Sequence, residues 1–117
     1  MPYQPGLHIL AEFTTSKTEY LSACSPCRVL FNELISNLSL TKVGEVYHEF
    51  EGGGYTAVIC LTESHLSIHT WPEFGLATFD IFLSNYQKDN SEKVRLFYAE
   101  VLAFFEGMEQ QKNEVNR

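Results

Sequence analysis

Polar and apolar positions first alternate along this chain, then recur at three- and four-residue steps, then alternate again. Leu7–Phe13 (LHILAEF) reads as a first strand. Thr14–Ala23 is polar and turn-like. From Ser25 onward, Leu30, Phe31, Leu34, Ile35 and Leu38 fall on one helical stripe, with Ser25 expected as N-cap and Pro26 at the first helical position. Lys42–Phe50 and Tyr55–Thr62 are rich in β-branched and aromatic residues, and Glu51-Gly52-Gly53-Gly54 joins them as a hairpin. In His65–Trp71, Leu66 and Ile68 take one face and His65, Ser67 and His69 the other, a half-buried strand stopped by Pro72. Leu76–Leu83 is a further strand. Asp89 is placed to cap a helix, with Glu92 three residues on, and Val94, Phe97, Tyr98, Val101, Leu102 and Phe105 form its stripe. After Gly107 the chain turns polar and is expected to fray. The order β-α-β-β-β-β-α predicts an α+β fold: a two-layer sandwich, an antiparallel sheet with two helices on one face.

Composition narrows the setting. A chain of 117 residues is expected to form a single domain, 1–117. Fifteen acidic residues against eight basic ones give a net charge of −7, which argues against nucleic-acid and anionic-membrane partners. No apolar run reaches the length of a membrane span, and Met1–Gly6 lacks the pattern of a secretion signal, so a soluble cytoplasmic protein is expected. The three cysteines are an odd number, which excludes a complete internal disulfide framework. Cys24-Ser25-Pro26-Cys27 has the spacing of a redox motif, yet capping chemistry at a helix start accounts for Ser25 and Pro26 without it. A zinc site would need more ligands at similar spacing than Cys60 supplies.

The densest run of chemically able residues is Glu63–Glu73 (ESHLSIHTWPE). His65 and His69 would face one another on a helix, but alternation places them on a strand, apart on one face and without a third ligand, so no metal is expected. Ser64 lies between two strands, not in the G-x-S-x-G turn of a serine hydrolase. Gly52–Gly54 is followed by neither Gly-Lys-Ser/Thr nor a helix, so turn chemistry explains it better than phosphate binding.

The same eleven residues closely resemble the self-processing motif of the prokaryotic S-adenosylmethionine decarboxylases, enzymes that use a pyruvoyl group in place of pyridoxal phosphate. GLHILAEF, YHEF with its glycine turn, and FGLATFDIFL are also similar to the family, in the family's order, from about Gly6 to Phe105. The resemblance implies a proenzyme. The Ser64 hydroxyl would attack the Glu63 carbonyl in an N-to-O acyl shift. Elimination and hydrolysis would then leave a β chain 1–63 and an α chain 64–117 that begins with the pyruvoyl group. That group would form a Schiff base with the substrate amine and accept the electrons released with carbon dioxide.

By the same resemblance, His69 is the histidine that moves protons during processing, and Thr56 stands where the family carries a processing serine. Phe50 matches an aromatic that meets the adenine or the sulfonium of the substrate, and Glu73 a carboxylate that binds the ribose hydroxyls, with Trp71 in the pocket region. No role is assigned to His65. The bland alternatives are a β-branched strand residue for Thr56 and a hairpin core residue for Phe50. A homodimer of αβ protomers, with active sites near the subunit interface, is implied as well.

One departure stands out. The family's D-x-F-T-C-G supplies a cysteine that returns a proton to the product. Here the stretch is Asp80-Ile81-Phe82-Leu83-Ser84-Asn85, with Ser84 at the cysteine's place. A hydroxyl is a far weaker acid than a thiol of pKa about 8.5. Water, His69 or a Ser84-bound water is left as donor. The leading expectation is a decarboxylase of S-adenosylmethionine that supplies the aminopropyl donor for spermidine. The alternatives are a pyruvoyl ornithine or arginine decarboxylase of the same fold, and a non-catalytic regulatory paralogue.

Overall fold

A computed structural model describes residues 2–86 and 88–117. The strands are β1 (Leu7–Thr14), β2 (Lys42–Glu49), β3 (Tyr55–Leu61), β4 (Ser64–Trp71), β5 (Leu76–Leu83) and β6 (Met108–Asn116). The helices are α1 (Thr18–Ser22), α2 (Ser25–Asn37) and α3 (Ser91–Phe104). All six strands join one antiparallel sheet in the order β2-β3-β4-β5-β1-β6.

One face of this sheet is the core. Leu7, Ile9, Ala11 and Phe13 of β1 are buried, as are Ala77, Phe79 and Ile81 of β5 and Leu66 and Ile68 of β4. Phe31 of α2 and Phe97 of α3 both pack on Phe79, at ring-centroid distances of 6.1 and 6.2 Å, and lie 5.8 Å from each other. Three fully buried rings from three elements therefore pin both long helices to the same face. Truncating a buried Phe of this kind typically costs about 3–5 kcal/mol. The alternation in β4 is as expected, with Leu66 and Ile68 in the core and the histidines opposite.

Three local expectations need correction. The segment after Gly107 does not fray but forms β6, an edge strand that pairs along all of β1, and its nine residues are exposed. Thr14–Ala23 contains a helix, α1, whose Leu21 is fully buried, so three helices rather than two cover the sheet. The caps shift by one: Cys24 precedes α2, placing Ser25 within it, and Asn90 precedes α3, while the Asp89 carboxylate accepts the Ser91 N–H at 2.9 Å.

Candidate active site

The sheet face opposite the helices is ordered in rows by the strand register. One row runs His8, Phe82, His65, Cys60. The next runs Leu10, Asp80, Ser67, Val58, and the next Glu12, Thr78, His69, Thr56, His48. Leu10, Val46 and Val58 are exposed on this face.

At one end lies the Glu63–Ser64 bond. Ser64 has φ 148°, a backbone state that residues with a Cβ rarely adopt and that costs about 1–3 kcal/mol. The Glu63 carbonyl accepts a hydrogen bond from the Ser84 backbone N–H at 2.7 Å. The carbonyl that a Ser64 hydroxyl would attack is thus already polarised by a fixed donor, as in an oxyanion hole. Asparagines anchor the donor segment. Asn90 Nδ2 donates to Ser84 O at 2.8 Å, the Asn90 N–H to Asn85 Oδ1 at 2.8 Å, and Asn85 Nδ2 to Pro5 O at 2.9 Å. Ser84 therefore meets the bond through its main chain, a role that no side-chain identity could signal.

Farther along β4 a cavity of about 350 Å³ is lined by Phe50, Thr56, His69, Trp71 and Glu73 together with the glycine turn. Its volume is that of a small-molecule site, about 300–1,000 Å³. Thr56 is the cross-strand partner of His69, with Oγ1 3.0 Å from Nδ1, so the hydroxyl fixes the imidazole. Gly52, Gly53 and Gly54 have φ of 89°, 108° and 93°, which only glycine adopts freely. A Cβ on Gly54 would lie 3.1 Å from both Pro72 Cδ and Thr70 O, so this turn packs directly on the start of the Pro72–Phe74 turn that carries Glu73.

These two groups are not adjacent. Ser64 and His69 are five residues apart on one strand, about 16 Å at 3.3 Å per residue. The structure collects Phe50, Thr56, His69, Trp71 and Glu73 in one place and Glu63, Ser64 and Ser84 in another. His65 meets neither group but joins His8 and Asp80, residues that local sequence patterns did not single out. The surroundings of Cys24 and Cys27 do not favour a thiolate. Burial pushes the Cys27 thiol up to about 12, and burial together with the Glu49 carboxylate raises Cys24, opposite to the thiolate a redox motif needs.

The family model described as S-adenosylmethionine decarboxylase matches residues 7–117. The chain belongs to the S-adenosylmethionine decarboxylase family. An S-adenosylmethionine decarboxylase proenzyme of Archaeoglobus fulgidus is 44% identical over 77 residues, covering 66% of this chain and 69% of that protein. A proenzyme of the same name from Aquifex aeolicus is 42% identical over 77 residues, covering 66% of this chain but only 57% of that protein, less than two thirds of its length. The crystal structure of the adenosylmethionine decarboxylase from Aquifex aeolicus superposes with a TM-score of 0.80 at 29% identity, over 99% of this chain and 91% of that one. The α+β sandwich expected from the sequence is therefore the family's fold, and the family is one of decarboxylases made as proenzymes.

Proposed function

We propose that this chain cleaves itself between Glu63 and Ser64 and that the processed protein decarboxylates S-adenosylmethionine. The observation that carries this reading is the Glu63–Ser64 junction, where a strained serine follows a carbonyl held by the Ser84 N–H. Strain raises the energy of the amide, and the donor stabilises the oxyanion that attack would create. A pyruvoyl group formed from Ser64 would supply an electrophilic carbonyl and an electron sink for decarboxylation. His69, oriented by Thr56, moves the protons. Phe50 and Trp71 offer π faces to an adenine or a sulfonium, and Glu73 accepts hydrogen bonds from ribose hydroxyls.

The separation within one chain supports a shared site. A second copy, stacked sheet to sheet with its strands reversed, would bring the His69 cavity of one chain toward the Ser64 of the other, and the exposed Leu10, Val46 and Val58 give such a partner apolar surface to cover. The working form is then a homodimer of αβ protomers. Among the described residues no helix is long and apolar enough to cross a membrane. Three unpaired cysteines suit the reducing cytoplasm.

Intact-mass spectrometry tests the processing: two fragments that divide after Glu63 are expected from the wild type and one chain from Ser64→Ala. Co-expression of Ser64→Ala and His69→Ala chains tests the sharing, because cleavage of the His69→Ala chain should return only if the histidine acts from the partner. A wild-type chain still intact after long incubation sinks the enzymatic reading. Product analysis with S-adenosylmethionine, ornithine and arginine then decides the substrate.

A further inference from the structure

Away from the cavity and the cleavage junction, three ligand-bearing side chains converge on the open face of the sheet. His8 Nε2 lies 2.9 Å from Asp80 Oδ2, and His65 Nε2 lies 3.4 Å from the same oxygen. The three potential donor atoms all lie within 4.8 Å of one another. We propose that His8, Asp80 and His65 form a binding site for one divalent transition-metal ion of the zinc class. This goes against the expectation of a metal-free protein drawn from His65 and His69. That spacing pointed to the wrong histidine pair: β4 holds those two apart, whereas strand register brings His8 from the far side of β5 into the row of His65.

The geometry suits such an ion. A tetrahedral metal with bonds of about 2.0–2.1 Å keeps its ligand atoms about 3.3 Å apart. Both His–Asp separations fall within half an ångström of that value, so a small closure of the His65 side chain would complete three ligands. His65 is half-exposed and free to make it, while His8 and Asp80 are held by the sheet. The carboxylate is already oriented, since the Ser67 hydroxyl donates to Asp80 Oδ1 and leaves Oδ2 for the metal. Phe82 sits between the two histidines in the register, with its ring 5.4 Å from His8 and 6.2 Å from His65, and forms an apolar wall behind the site. Two imidazoles and one carboxylate are three of the donors that a four-coordinate zinc site uses.

The same structure limits the affinity. Among the described residues His8 Nδ1 is buried without a hydrogen-bond partner, so none of them locks this ring from outside as in the tightest sites. Binding should therefore be about 10–100-fold weaker than at a site whose ligating rings are all held by an outer group. The ion would clamp the residue that directly follows Ser64.

The test is titration of the full-length protein with Zn²⁺ by calorimetry and with Co²⁺ by visible absorption, neither of which depends on cleavage or decarboxylation. One ion per chain is expected, with the intense Co²⁺ bands of a four-coordinate site. His65→Ala, a change at a half-exposed side chain that should leave the sheet folded, and Asp80→Asn should each weaken binding at least tenfold. His48→Ala, on the same face but outside the cluster, should not. Absence of binding at millimolar metal, or binding indifferent to both His65→Ala and Asp80→Asn, overturns the proposal.

Discussion

Ser84 illustrates how a residue can matter through its backbone. Its N–H holds the Glu63 carbonyl at 2.7 Å, and any residue except proline could do the same. Ser84→Pro should therefore slow self-cleavage by about 10²-fold, the usual cost of one oxyanion donor, while Ser84→Ala and Ser84→Cys should cleave at the wild-type rate. Gel-based time courses of the three variants would check this, and equal rates would remove the donor from the mechanism. The serine at the family's cysteine position thus needs no explanation in processing. On the proposed function its side chain would bear on the later proton return, where Ser84→Cys is expected to lengthen the life of the processed enzyme.

Among the elements, the strands that bury one face were plain in the sequence, because Leu66 and Ile68 opposite Ser67 and His69 leave only one register. Strand β6 was not. Its residues MEQQKNEVN bury no side chain, so no apolar period marks them, and the strand is held by its ladder to β1 and by ion pairs such as Arg95–Glu114. Charged side chains on such an edge also discourage pairing with other sheets. Deleting residues 108–117 should lower the melting temperature by several degrees and promote aggregation through the bared edge of β1, seen by thermal scanning and light scattering. An unchanged melt would show that β6 only decorates the sheet. Glu63, Ser64, His69, Trp71 and Glu73 stood out as a run of unusual chemistry, whereas Phe50, Thr56 and Ser84 lie outside it and were named only through the family resemblance. The separation within the run was not legible, because eleven consecutive residues look like one site until a strand stretches Ser64 and His69 about 16 Å apart.

For the whole molecule, assembly and chemistry are expected to fail together. Val58→Asp places a charge in the middle of the exposed row of the open face without touching the helix-covered core. It should yield a monomer by light scattering and leave the chain uncleaved, with a circular dichroism spectrum unchanged from the wild type. A monomer that still cleaves would place the whole apparatus within one chain.

The strand order has a bearing on how the protein is made. The proposed cleavage after Glu63 would divide the strands into β1, β2 and β3 on one fragment and β4, β5 and β6 on the other. In the sheet, however, β1 lies between β5 and β6. The fragments would be interleaved, so the cut would release neither one while the sheet holds, and the uncut chain would act as its own template while this arrangement forms. Once the peptide link is gone, the high effective concentration that it imposed is gone too. Denatured mature protein should regain structure at a rate that rises with concentration, whereas the Ser64→Ala chain should form its sheet at a rate independent of it. Stopped-flow refolding over about a tenfold concentration range would separate the two, making self-cleavage a step that trades reversibility of folding for chemistry.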